Sequence, residues 1–318
     1  MIFLGKEEIE KLVDPNEIMD QIEEAYRIFG ADAYYMPPRP VIEHENKTLI
    51  YMPCFTENVI GTKMLTIFPE NAKLGLPSLD GLVILNDRTT GAPLAIMDGQ
   101  AVTAWRTGAV GGVGIRHLSR RDARTVGIVG AGAQGFHQAV YACAARNIET
   151  VYIWNHSDRD LTDFMDRLKK TIADPAVKVV QCKTVEELVK ASDIICTATP
   201  SEEPVLPNDR ELLEGKCIIA IGSYTPKMRE IPDVIWDLVD KVYIELPYAC
   251  EESGDLASPW QRDGSPWTGL FLWTSSWRPG RTKMRSRGRP RILNLWAWVF
   301  LTCAWHRNYW RRQRRDKK

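Results

Sequence analysis

The chain has 318 residues, 44% of them apolar, enough for two domains of ordinary size with a buried core in each, which excludes a disordered protein. Its formal net charge is zero, but residues 1–255 carry 26 basic against 39 acidic side chains, residues 256–318 carry 15 against 2, and eight of the eleven tryptophans lie after residue 256. Seven cysteines (Cys54, Cys143, Cys182, Cys196, Cys217, Cys250, Cys303) are scattered without a CxxC, so neither a disulfide framework nor a metal site is expected, and the acidic opening MIFLGKEEIEKL has no apolar core of a signal peptide, which points to the cytoplasm.

Apolar residues Ile9, Leu12, Ile18, Ile22, Ala25 and Phe29 recur amid acids and lysines, predicting amphipathic helical segments over 8–29, broken at Pro15. The segment MPPRP at 36–40 must be extended, because each proline pushes its predecessor out of the helical region. Alternating runs at 48–52, 60–68, 79–86 and 93–97, separated by turn pieces such as DRTTGAP, predict a meandering sheet of four or more strands. A helix follows over 100–117, thinned by Gly108, Gly111, Gly112 and Gly114 so that another element can pack close to it.

From residue 125 the pattern changes. The apolar strands TVGIVG, TVYIWN, VKVVQC, DIICTATP and KCIIAIG alternate with the helical stretches AGAQGFHQAVYACAAR, LTDFMDRLKKTI and TVEELVKA. This alternation predicts an α/β fold, a Rossmann-type doubly wound parallel sheet with helices on both faces. The polar and basic residues 119–124 read as a hinge, giving one domain over 1–120 and a second over 121–256.

Within the second domain, Gly130-Ala131-Gly132-Ala133-Gln134-Gly135 directly follows a strand and opens a helix. Gly130 allows the tight turn, Gly132 lets the backbone approach a pyrophosphate, and Gly135 lets the helix lie close to the sheet. The N–H groups of Ala133 and Gln134, at the positive end of the helix, then hold the phosphates. An acid at the end of the second strand would bind the ribose hydroxyl of NAD(H); here Asn155 carries no charge to repel a 2′-phosphate, and His156 or Arg159 can contact one, so NADP(H) is favoured and NAD(H) remains possible.

The stretches MPPRP, GTKMLTIFPEN, GLPSLDGLVILNDRTTGAPLAIMDG, TAWRTGAVGG, VGIVGAGAQGFHQ and CEESGDL, in this order over residues 36–256, resemble the ornithine cyclodeaminase and mu-crystallin family. The resemblance implies a second, α+β substrate and dimerisation domain built from the first third of the chain, and a homodimer provided the C-terminus is intact. It also implies that a substrate carboxylate lies against Arg39, Lys63 and Arg106. Chemistry agrees, since the planar fork of arginine suits a small carboxylate and a lysine can hold a charge or transfer a proton. Thr107 and Ser223 complete the expected cofactor contacts. Cyclodeaminases of the family carry an aspartate two residues beyond the glycine that ends CIIAIG, where this chain has Tyr224, a poor general base at neutral pH. Ornithine cyclisation is thereby disfavoured, and Glu230 is expected to brace the loop. The implied activity is reduction of a small cyclic imino acid, such as 1-pyrroline-2-carboxylate or 1-piperideine-2-carboxylate. A cyclodeaminase, an alanine dehydrogenase-like enzyme and a non-catalytic NADP-binding protein are the alternatives.

Residues 257–318 do not continue the family pattern, in which a motif of the FKSVG type followed by an apolar helix returns the chain to the first domain. The apolar run ILNLWAWVFLTCAW between arginine clusters is shorter than the roughly 20 residues of a spanning helix and has no clean tryptophan stripe, so neither a membrane nor a nucleic-acid partner is expected. Codons chosen for that run, read one nucleotide earlier, translate as FKSVGMGVFDLCM, the missing motif. A change of coding frame after about Leu256 also explains the simultaneous rise in tryptophan and arginine and the loss of acids.

Overall fold

The computed structural model describes residues 1–245 and 249–257, and the backbone of two later strands, Leu270–Leu272 and Arg291–Asn294. Apart from those strands, residues 258–318, within the segment where a change of frame is expected, lie outside the described residues. The chain divides into two compact units, the first running from Met1 to Arg106 and the second beginning at Thr107.

The first unit opens with β1 (Ile2–Leu4), α1 (Lys6–Leu12) and α2 (Pro15–Gly30). Pro15 starts α2 at a position where its missing N–H is no loss, and the Asp14 side chain accepts from the N–H groups of Asn16 (2.8 Å) and Glu17 (3.2 Å). The face Ile18, Met19, Ile22, Ala25 and Tyr26 is buried, as the 3.6-residue period requires. Residues 36–40 belong to no helix or strand. The meander follows as β2 (Val41–His44), β3 (Lys47–Phe55), β4 (Val59–Ile67), β5 (Leu79–Asp87) and β6 (Pro93–Asp98), in the order β1-β6-β5-β4-β3-β2. All neighbours are antiparallel except β1 and β6. The alternation along β4 sends Gly61, Lys63 and Leu65 to one buried face, shared with Cys54, Val83, Leu85, Ala95 and Met97. The opposite face, with Ile42, Met64 and Leu82, is partly open.

Helix α3 (Gly99–Leu118) carries the unit boundary. The second unit continues with β7 (Thr125–Val129), α4 (Ala133–Ala145), β8 (Thr150–Trp154), α5 (Thr162–Thr171), β9 (Lys178–Gln181), α6 (Val185–Ala191), β10 (Ile194–Thr197), α7 (Arg210–Leu213) and β11 (Cys217–Ala220). It ends with α8 (Ile235–Leu238), β12 (Val242–Ile244), α9 (Ala249–Glu252), β13 (Leu270–Leu272) and β14 (Arg291–Asn294). Every pairing in the order β13-β12-β14-β11-β10-β7-β8-β9 is parallel. From β7 the chain first builds outward through β8 and β9, then crosses to β10 and β11 on the other side. The reversal opens a crevice at the carboxyl ends of β7 and β10, where such sheets take ligands. The glycines of α3 admit α4. A Cβ on Gly108 would stand 2.5 Å from the Tyr141 ring and one on Gly111 1.8 Å from Gln138 Oε1, while buried Gln138 donates through Nε2 to the Thr107 carbonyl at 3.1 Å.

Candidate functional site

The glycine-rich turn occupies the carboxyl end of β7. Gly130 has φ +103°, in the left-handed region, and a Cβ there would lie 2.6 Å from the Ala198 carbonyl oxygen. At Gly135 a Cβ would reach 2.0 Å from the Gly130 carbonyl oxygen, so α4 lies directly on the turn. Gly132 is the opposite case: among the described residues, chain neighbours aside, nothing stands within 4 Å of its Cβ position. Gly132 is also the N-cap of α4, and no side chain caps the helix among the described residues. Backbone N–H groups at a positive helix end beside open space suit an anionic pyrophosphate, so the residues present fit a dinucleotide.

At the end of β8, Asn155 turns inward to the glycine turn. Its Oδ1 accepts from the Ala131 N–H at 3.0 Å, and its Nδ2 donates to the Ser157 hydroxyl at 2.8 Å and carbonyl at 3.2 Å. Arg159 donates to the Ala131 carbonyl, and His156 is exposed, edge-on to Trp154. The neutral side chain, the imidazole and the guanidinium are thus gathered beside the turn that would hold the adenosine half of a cofactor.

The loops after β10 and β11 are tied together by a buried carboxylate. Glu230 accepts on Oε1 from the Thr199 N–H (2.7 Å) and hydroxyl (2.8 Å), and on Oε2 from the Thr197 hydroxyl (2.8 Å) and the Gly222 N–H (2.7 Å). Four donors on one carboxylate favour its ionised form, yet burial, and next the charge of Asp255, push it up to about 7. Asp255, in the ESGDL motif, accepts from the N–H groups of Glu230 (2.7 Å) and Ile231 (2.9 Å), and burial raises it to about 6. Ser223 is also buried in this brace: it donates to the Met228 carbonyl (2.7 Å) and accepts from the Ser253 hydroxyl (2.9 Å) and the Asp255 N–H (3.3 Å). The sequence suggested a bracing Glu230 but missed its partners Thr197, Thr199 and Asp255. ESGDL was visible as a motif, and an aspartate amid apolar residues after a glycine was the available signal.

In the first unit, Lys63 is 5% exposed on β4, opposite Met52 of β3 and Val83 of β5. Burial, then the charges of Arg106 and Arg39, bring its ammonium down from 10.5 to about 7. Arg106 on α3 is equally buried, and Arg39 on the extended segment is half-buried. The structure therefore brings Arg106 and Arg39 each within electrostatic reach of Lys63. A buried lysine beside two arginines suits a small anion, and a carboxylate suits the arginine forks.

Residues 1–286 match the model of the ornithine cyclodeaminase/mu-crystallin family, a match that ends ahead of the apolar run beginning at Ile292. A Delta(1)-pyrroline-2-carboxylate reductase of Bacillus cereus is 34% identical over 266 residues, covering 81% of this chain and 80% of that protein. Among solved structures, the Delta(1)-pyrroline-2-carboxylate reductase of Thermococcus litoralis in complex with NADH and L-proline superposes with a TM-score of 0.87 at 27% identity, over 100% of this chain and 98% of that one. An archaeal alanine dehydrogenase dimer with bound NAD superposes with a TM-score of 0.84 at 25% identity, over 100% and 97%. From the glycine turn and the parallel sheet to these relatives, sequence and fold agree: the chain belongs to the ornithine cyclodeaminase/mu-crystallin family.

Proposed function

We propose that the protein is an NAD(P)H-dependent reductase of small cyclic imino acids of the 1-pyrroline-2-carboxylate or 1-piperideine-2-carboxylate type, yielding the cyclic amino acid. The observation that carries this is Lys63, buried and brought down to about 7 by burial, Arg106 and Arg39, in a chain whose other unit has a glycine turn suited to a dinucleotide. The Bacillus cereus relative is named for this reduction, and the Thermococcus litoralis relative is seen with NADH and the product amino acid, L-proline. A bound reduced nicotinamide supplies the hydride that adds to the C=N carbon. Arg39 and Arg106 grip the carboxylate and so fix the imine carbon in place. Lys63, held near neutrality, orients the carboxylate or, through water, keeps the imine nitrogen protonated, so that negative charge does not build up there.

Asn155, with no charge to repel a 2′-phosphate, and the adjacent His156 and Arg159 favour NADP(H) over NAD(H). Thr107 and Ser223 belong to the cofactor side through their backbone and the loop they hold. A homodimer is proposed through the first unit, where Ile42 is 53% and Leu82 39% exposed on one sheet face; the archaeal alanine dehydrogenase is a dimer. Among the described residues the six cysteines form no disulfide with one another, which suits the reducing cytoplasm. Purified protein mixed with either imine and NADPH or NADH should oxidise the cofactor and release the cyclic amino acid. No turnover on these imines, with ornithine and NAD instead giving proline and ammonia, would replace the proposal by a cyclodeaminase.

A further inference from the structure

Glu230 and Asp255 lie outside the substrate-carboxylate cluster and are assigned no part in the chemistry above. Their hydrogen bonds form a chain that ends at Thr197, Thr199 and Gly222, and Ala198 and Thr199 pack against the glycine-rich turn. Asp255 fixes the backbone of Glu230 and Ile231, and Glu230 fixes Thr197, Thr199 and Gly222. The Ala198 carbonyl and the Thr199 methyl then stand 2.6 and 3.0 Å from the Cβ position of Gly130. Gly222 is closed in likewise, its Cβ position lying 2.2 Å from the Thr199 carbonyl oxygen and 2.6 Å from the Glu230 carboxyl carbon. One carboxylate therefore sets the spacing of the loops after β10 and β11, and through Thr199 it abuts the turn after β7.

We propose that Glu230, seated by Asp255, is a positioning residue whose ionised carboxylate holds these loops in the form that binds the dinucleotide, so that cofactor affinity follows its protonation. This rests on the reading of the second unit as a nicotinamide-cofactor domain. Each carboxylate oxygen already accepts from a backbone N–H, which cannot turn round to accept. A proton on Glu230 must therefore displace a bond to Thr199 or Gly222, or turn a threonine hydroxyl. Burial and the Asp255 charge hold the carboxyl at about 7, so this occurs within the working range. The groups facing the pair are Asp255 on the Glu230 side and Arg229, itself bridged to Asp233, on the Asp255 side.

The test is NADH binding, followed by fluorescence titration of the full chain from pH 6 to 9; NADH has no 2′-phosphate to titrate in that interval. Wild type should bind more weakly as pH falls through about 7. Glu230→Gln must point its amide N–H₂ at a backbone N–H, and should bind about tenfold or more weakly across the whole range with the pH dependence flattened. Asp255→Asn keeps the acceptor oxygen and removes the charge, so it should move the weak-binding limb to lower pH. If Glu230→Gln does not fold, this shift in the Asp255→Asn variant decides the matter. Wild-type affinity and pH dependence in folded Glu230→Gln, or an unmoved limb in Asp255→Asn, would overturn the proposal. Absence of NADH and NADPH binding by wild type would instead sink the cofactor-domain reading beneath it.

Discussion

Replacing Lys63 with methionine should make the protein more stable and less active at once, because the charge is buried for its ligand and not for the fold. Methionine has nearly the length and flexibility of the lysine stem, so packing between Met52 and Val83 is retained. A lysine lowered from 10.5 to about 7 disfavours its charged form in the folded state, by roughly 5 kcal/mol at most and about 2–5 kcal/mol after relaxation of the surroundings. The sign follows from proton counting. Below pH 7 both folded and unfolded chains carry the proton and the folded chain bears the full burden. Between pH 7 and 10.5 the unfolded chain holds more protons, so wild-type stability from this group rises with pH. The advantage of Lys63→Met should therefore be largest near pH 6 and shrink towards pH 10. Urea unfolding of both proteins at pH 6, 7.5 and 9 measures it, alongside kcat/KM for the imine, which should fall by about a hundredfold or more if the ammonium acts on carboxylate or nitrogen. A variant less stable than wild type at pH 6, or one with wild-type kcat/KM, would refute the reasoning.

Two glycine substitutions separate folding from binding. Gly132→Ala adds a Cβ where, among the described residues and chain neighbours aside, no atom stands within 4 Å, so thermal melting should be unchanged while NADH binding weakens by about tenfold, as the methyl enters the space for the phosphates. Gly135→Ala drives a Cβ to 2.0 Å from the Gly130 carbonyl oxygen and should destabilise the protein by about 1–3 kcal/mol, measured by urea unfolding without cofactor. Asn155→Asp keeps the acceptor for the Ala131 N–H but adds a charge beside the expected 2′-phosphate site; the ratio of NADPH to NADH affinity should drop about tenfold or more, and an unchanged ratio would remove Asn155 from cofactor choice. Resequencing DNA across the codons of residues 254–262 should reveal a one-nucleotide slip, whereas an unshifted frame through that interval rules it out.

Much of this architecture was legible because local physics decides it. The strand–glycine turn–helix unit at 125–145 needs left-handed backbone at Gly130 and close approach at Gly135, which only this residue type supplies. Pro15 was legible as a break but not as a helix start, a role that depends on Asp14 capping the next turn. β1 and β2 escaped prediction for a different reason. Their three and four residues are too short to show a period, and β2 is exposed throughout, so pairing with β6 and β3 forms them. The Glu230 brace was half legible: a bracing role was readable from the loop motif, but Thr197 is 33 positions and Asp255 25 positions away, and only the folded sheet brings them together.

The same brace bears on the choice of reaction. A cyclodeaminase needs a base or a water-handling acid at the imine carbon, and the loop after β11 is where the family places one. Here Tyr224 is 58% exposed, and the nearby carboxylates of Glu230 and Asp255 are buried and occupied as acceptors of backbone and threonine donors. Freeing Glu230 to take a proton from water would release Gly222 or Thr199 from its place, loosening the loops at the moment of reaction. Hydride addition to a protonated imine makes no such demand: the proton is already on nitrogen, and the protein has only to hold the carboxylate, which Arg39, Arg106 and Lys63 can do on the proposed reading. The residue missing for one chemistry is therefore unnecessary for the other.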